Sequence, residues 1–276
     1  MSELGGNNAA NKTTLSSFQL GTHRLDVAAP AKVSANTPVL VMHDGGNLLL
    51  PREETWNGLN WGIIDSLEAG LIAGDNQPVV IGVHTGEGTS RYNELAPQTI
   101  VEGLDDAFSL IPSGVTLEST TPLGNEYQDF LADQVLPEVA GRLGITLDPS
   151  RTAIGGSSMG GLASIFGLGR RPDVYGAALS FSTHWPFGRQ QAVELLVDAL
   201  PARGSHRLWL DAGNTELDAA YAPFHYSAID RLIERGWRRD QDFEARIYAG
   251  TGHQEKYWAA RWPDAVNWWL TPSLRN

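Results

Sequence analysis

Gly156-Ser157-Ser158-Met159-Gly160 sets a hydroxyl between two glycines, each two residues away. A serine in that pattern serves as a nucleophile where a strand turns sharply into a helix. The serine then takes a strained backbone conformation, and larger neighbours two residues before or after it would clash. Only one register fits. Centring on Ser157 puts Met159 where the second glycine must stand. Ser158 is therefore the candidate nucleophile, and Ser157 is the small residue before it. The apolar segment "TAI" precedes the motif and the small-residue stretch "GGLASIFGLG" follows it. That is the strand–turn–helix setting the chemistry needs, with helix N–H groups aimed at a developing oxyanion.

A serine nucleophile needs a base, and the base needs an orienting acid. His206 starts a strand, His225 starts a helix, and His184 follows the serine with no acid-bearing strand between. His253, in "YAGTGHQEKYW", stands directly after the last expected strand, in a glycine-rich loop that can carry an imidazole over the sheet edge. It is the expected base. The acid should follow the preceding strand, where "LWLDAGNTELD" offers Asp211, Glu216 and Asp218. Glu216, in the turn leaving the strand, is the first choice, then Asp218, then Asp211. The oxyanion donors expected are the backbone N–H groups of Met159 and of Gly46 in "VMHDGGN", where glycine permits close backbone approach to a reacting carbonyl.

The elements that must position these residues are legible as alternating apolar runs. Val-rich segments at 37–44 and 77–84, and further runs at 152–156, 176–182, 206–213 and 243–250, read as buried parallel strands. Helical spacing appears at 62–73, 127–144, 159–169, 190–199, 226–236 and about 256–270, with Pro137 a candidate kink. The alternation predicts an α/β protein: a mostly parallel central sheet with helices on both faces and its functional loops at the carboxyl ends of the strands. Residues 1–14 are polar and read as a flexible segment, and 15–276 as a single domain.

Composition narrows the function further. The chain has 276 residues, 42% hydrophobic and 19% charged, with a net charge of −12, which disfavours nucleic acid and anionic membranes as partners. It has no cysteine, so disulfides, thiolate metal sites and cysteine nucleophiles are excluded. The polar start of the chain, without a signal-like apolar core, suggests a cytoplasmic protein. His43 and His84 end strands, but no zinc-type ligand spacing accompanies them, so no metal is expected.

Taken in order, several motifs resemble the esterase D-like family of the α/β-hydrolase superfamily over roughly residues 36–270. They are "PVLVMHDGGNLL", "SRYNELAP", "GNEYQDFLADQVLPEV", "RTAIGGSSMGGLAS", "LWLDAGNTE" and "GTGHQEKYW". The resemblance implies the α/β-hydrolase fold and a serine carboxylesterase that needs no cofactor. Ser158 would be nucleophile, His253 base and Glu216 acid, with Gly46 at the family's oxyanion turn. The acid position varies in this family. Trp56, Arg91 and Trp185 are expected to line a small-molecule ester pocket, with Trp61 a further aromatic near the site. Siderophore-ester or carbohydrate acyl esterases and acyltransferases share the chemistry. A catalytically silent binding protein of the same fold is the alternative from another class.

Overall fold

The computed structural model describes residues 12–55, 58–72, 77–103, 109–110, 115–116 and 121–271. The strands are β1 (Thr14–Leu20), β2 (His23–Ala29), β3 (Val39–His43), β4 (Val79–Val83), β5 (Ser109–Leu110), β6 (Val115–Thr116), β7 (Thr152–Ser157), β8 (Ala177–Phe181), β9 (Arg207–Gly213) and β10 (Phe243–Tyr248). Eight of them form one sheet in the order β1-β2-β4-β3-β7-β8-β9-β10, while β5 and β6 pair with each other. From β4 to β10 every pairing is parallel; β1 and β2 add an antiparallel edge. This is the mostly parallel α/β sheet expected from the alternating runs, in the α/β-hydrolase arrangement that the family resemblance implies.

The helices are α1 (Ile63–Glu68), α2 (Thr89–Leu95), α3 (Gln98–Gly103), α4 (Gly124–Phe130), α5 (Leu136–Leu143), α6 (Met159–Arg170), α7 (Arg189–Ala199), α8 (Ala222–Glu234) and α9 (Glu255–Leu270). Strand side chains alternate between the two faces of the sheet, and each face has its own core. Val39, Val41, Ile81 and Ile154 join Leu162, Val193 and Leu232 from α6, α7 and α8. Leu40, Met42, Val80 and Trp209 join Ile63 and Leu67 of α1 and Trp258, Trp262 and Trp269 of α9. Burial on both faces is why these strands read as unbroken apolar runs.

Three local differences from the sequence expectations have physical causes. The helix expected at 62–73 ends at Glu68, because Gly70 takes φ 69° and Leu71 N–H closes onto the Ser66 carbonyl. The helix expected at 127–144 contains a π-helical turn, Leu131–Val135, before Pro137. Proline lacks an N–H and crowds the carbonyl four residues back, and the wider turn relieves both. At the amino end, residues 1–11 of the segment expected to be flexible lie outside the described residues. Ordered structure begins before the expected boundary, since Thr13 is buried and β1 starts at Thr14.

No helix among the described residues is long and apolar enough to cross a membrane.

Candidate active site

Ser158 sits between β7 and α6 at φ 58°, ψ −122°, a conformation L-residues rarely adopt. The flanking glycines are required by contact. A Cβ on Gly156 would lie 3.1 Å from the Gly160 backbone and from His43 Cδ2, and one on Gly160 would lie 3.2 Å from His43 Cβ. Gly161 is equally constrained: its Cβ would stand 2.6 Å from Ser180 Oγ. These close approaches let α6 pack directly behind the serine. The Met159 N–H, first in α6, has no intrahelical partner available to it.

Gly46 lies in a short 3₁₀ turn, Gly45–Asn47, after β3. Asp44 begins that turn in the left-handed region, φ 59°. Its carboxylate accepts Arg91 Nε at 2.6 Å, Arg91 Nη2 at 2.7 Å and Thr85 Oγ1 at 2.8 Å. Burial alone would raise the Asp44 pKa, but Arg91 and Thr85 hold it below the usual range. Asn47 Nδ2 donates to Glu255 Oε1 at the start of α9. The turn is thus anchored at both ends, with Gly46 facing the same cleft as Ser158.

His253 and Asp218 meet directly: Nδ1 donates to Oδ1 at 2.6 Å. Asp218 is fully buried, and its other oxygen accepts Ser182 Oγ at 2.6 Å and Gly213 N at 2.7 Å. Burial would raise its pKa, but the bonds from His253, Ser182 and Gly213 hold it below the usual carboxylate range. Trp258 Nε1 donates to Ser182 Oγ, so that hydroxyl is fixed as a donor to Asp218. The His253 ring is boxed by Trp258 and Tyr221, both edge-on, with centroids 5.0 and 5.6 Å away. With Nδ1 engaged, Nε2 is the nitrogen left to face the cleft that Ser158 also lines.

Glu216, the first-choice acid, does not reach His253, and this corrects the sequence expectation. The chain leaves β9 as a 3₁₀ turn, Glu216–Ala220, and Glu216 opens it at φ 55° with its side chain outward. Its oxygens accept Gln254 Nε2 at 2.9 and 3.0 Å, outside the histidine loop. Asp218, two residues on, turns to the inner side of that tight helix. Asp211 stays in β9, bonded to Arg261 and to Trp209 Nε1. The acid and histidine loops are tied together, since Asn214 N and Thr215 N both donate to the Thr251 carbonyl. A Cβ on Gly213 would sit 2.1 Å from that carbonyl oxygen, so glycine is needed where the loops touch.

The expected substrate-binding residues fare differently. Arg91 lines the cleft, but its guanidinium is engaged on Asp44. Trp185 does not line it. The ring is 1% exposed, in the core with Met159 and Phe187, because the chain after Ser182 folds back and His184 N–H bonds the Ser158 carbonyl. Trp56 lies outside the described residues. Trp61 and Trp258 form the aromatic wall instead.

The cleft encloses about 960 Å³. Its lining includes Asp44, Glu54, Glu87 and Glu255, and two arginines, both in ion pairs: Arg24 on Asp26 and Arg91 on Asp44. His43 and His84 also line it. His43 Nδ1 pairs with the Tyr127 hydroxyl at 3.0 Å, and burial pushes its pKa down to about 4, so the ring is neutral. Tyr221 escaped notice in the sequence. Fully buried, its hydroxyl pairs with His184 Nδ1 at 2.5 Å, and its ring stands edge-on to His253. No sequence spacing marks it, because these contacts come from separate loops.

Known proteins share both the sequence pattern and the fold. The family model described as "Putative esterase" matches residues 24–269. An iron(III) enterobactin esterase of Dickeya dadantii is 30% identical over 211 residues, covering 70% of this chain and 47% of that protein. The uncharacterized protein YbbA of Bacillus subtilis is 23% identical over 269 residues, covering 93% and 96%. Among solved structures, the ferric enterobactin esterase of Salmonella typhimurium superposes with a TM-score of 0.65 at 16% identity, covering 93% of this chain and 57% of that one. An IroE-like serine hydrolase of Shewanella oneidensis gives 0.67 at 16% identity, covering 92% and 79%. The chain spans about half the length of the two enterobactin esterases. With its family model matched over nearly the whole chain, the protein belongs to the "Putative esterase" family and has the α/β-hydrolase fold.

Proposed function

We propose that the protein is a cofactor-free serine carboxylesterase acting on small-molecule esters, with Ser158, His253 and Asp218 as its triad. The observation that carries this is a strained serine at a helix N-terminus, sharing a cleft with a histidine whose Nδ1 is held by a buried carboxylate. Ser158 Oγ attacks the ester carbonyl as His253 Nε2 takes its proton. The carbonyl oxygen gains negative charge and receives the Gly46 and Met159 N–H groups. Collapse expels the alcohol, which takes the proton from His253. Water, deprotonated by the same nitrogen, then cleaves the acyl-serine and frees the acid. Asp218 keeps the imidazole in the tautomer that leaves Nε2 unprotonated and stabilises the imidazolium as it forms.

Ser158→Ala tests this. Turnover of p-nitrophenyl acetate should fall by at least about 10⁴-fold, and labelling by a fluorophosphonate should vanish. Unchanged turnover refutes the proposal and leaves the catalytically silent alternative. Two relatives bear the names of enterobactin esterases, which favours a siderophore ester as a narrower substrate. The acidic lining and paired arginines of the cleft do not add to that case. A panel of aryl, acyl-sugar and trilactone esters, run with and without an alcohol acceptor, separates these substrates and distinguishes hydrolysis from transfer.

A further inference from the structure

A second histidine–aspartate pair stands in the same cleft, in a part of the site the mechanism leaves idle. His84, directly after β4, donates Nε2–H to Asp26 Oδ2 at 2.7 Å. Asp26 lies in β2, fully buried, and also accepts Ser17 Oγ at 2.5 Å and Arg24 Nε at 3.0 Å. Burial would raise the Asp26 pKa, but the bonds from His84, Ser17 and Arg24 keep it low, so the carboxylate is ionised and can only accept. In its neutral form the His84 ring therefore carries its proton on Nε2 and leaves Nδ1 as the acceptor. The backbone locks the ring as well, since His84 N–H donates to the Arg24 carbonyl and extends the β2–β4 ladder.

The ring packs against the oxyanion turn. A Cβ on Gly45 would strike His84 Cδ2 at 2.7 Å, and one on Gly46 would come within 3.6 Å of His84 Nδ1. Among the described residues Nδ1 has no protein partner, and His84 lines the cleft with Gly46 and Ser158. A lone acceptor therefore stands next to the N–H expected to hold the ester carbonyl oxygen. The arginines that line the cleft, Arg24 and Arg91, are both paired.

Resting on the esterase assignment above, we infer that His84 Nδ1 forms a specificity subsite that accepts a hydrogen bond from a hydroxyl next to the scissile carbonyl. The substrate class it selects is the α-hydroxy ester, over esters with no donor at that position. His84 is not in the proton path of the acyl transfer; it orients the acyl group so that its carbonyl oxygen meets Gly46.

The test compares the p-nitrophenyl esters of 2-hydroxypropanoate and 2-methoxypropanoate, which are similar electronically but differ in the donor. Each kcat/KM is divided by the ester's rate of alkaline hydrolysis, and the hydroxy/methoxy ratio is read within each protein, so a general loss of activity cancels. The wild type should favour the hydroxy ester by about tenfold, the worth of one hydrogen bond. His84→Phe, which keeps the ring bulk, should bring the ratio near one. His84→Asn, whose Oδ1 can stand where Nδ1 was, should retain most of it. A wild-type ratio near one, or an unchanged ratio in His84→Phe, overturns the subsite while the esterase assignment stands. Failure of the wild type to cleave either ester overturns that assignment and the subsite together.

Discussion

The cleft holds two histidine–aspartate pairs of nearly equal length, His253–Asp218 at 2.6 Å and His84–Asp26 at 2.7 Å. Both aspartates are fully buried, and both are held low by three donors. They differ in which ring nitrogen the carboxylate takes. Asp218 takes Nδ1, next to the His253 backbone, and leaves the outer tip of the ring, Nε2, to reach across the cleft. Asp26 takes the tip of His84 and leaves Nδ1, which stands beside Gly46 in the wall of the cleft. The first arrangement suits a base that must reach a nucleophile, and the second suits a fixed acceptor on a wall. A short His–Asp contact is thus weak evidence for a catalytic base until the free nitrogen is identified.

The difference also follows from where each pair is built. Asp26 lies in β2 and His84 directly follows β4, its N–H extending the antiparallel β2–β4 ladder, so that both backbones are held by strand pairing. Asp218 and His253 stand on loops beyond the parallel strands, tied by the Thr251 carbonyl. A longer loop beyond the carboxyl end of a strand can carry a side chain across the cleft, as a residue held in the strand ladder cannot.

The strongest way to break this comparison is to neutralise each carboxylate. Asp218→Asn should lower kcat for p-nitrophenyl acetate by about 10³- to 10⁴-fold with little change in KM, because the amide no longer enforces the tautomer with a free Nε2. An equal loss from Asp26→Asn on that ester would make the pairs equivalent and collapse the comparison. A smaller effect should come from Ser182→Ala. It removes one donor from Asp218 Oδ2 and the acceptor of Trp258 Nε1, while Gly213 N–H remains. One hydrogen bond to a charged group is worth about 1.5–3 kcal/mol, so a tenfold to hundredfold fall in kcat is expected. A rise in KM without a fall in kcat would show that Ser182 acts on substrate binding instead.

Much of this could be seen in the sequence, and the rest has identifiable reasons for being hidden. The β3, β4 and β7 runs are legible because burial on both faces makes them uniformly apolar. The elbow is legible because its glycines answer local steric demands within five residues. The β1–β2 hairpin is not, since β1 is mostly exposed and carries no clear apolar alternation. Trp185 looked like a site residue because it follows β8, yet the turn at Ser182, φ 43°, sends its ring into the core. The His84–Asp26 pair joins residues 58 positions apart, a register no local pattern announces.

Glu216 and Asp218 pose the same problem at its finest scale, and they supply the smallest expected effect. Both follow β9 by a few residues, and the position in the turn that favoured Glu216 does not decide which one partners His253. The choice is made by a distant group, the Thr251 carbonyl, which pins Asn214 and Thr215 and so starts the 3₁₀ turn with Glu216 outside and Asp218 inside. Glu216 is left as an exposed strut on Gln254. Glu216→Gln keeps the length of that strut and an acceptor oxygen, and exposed polar contacts are worth at most about 1 kcal/mol. Its kcat should therefore stay within about threefold of wild type. A loss approaching that of Asp218→Asn would mean that in solution the loop turns Glu216 inward, and that the acid of the triad is the one the resemblance first suggested.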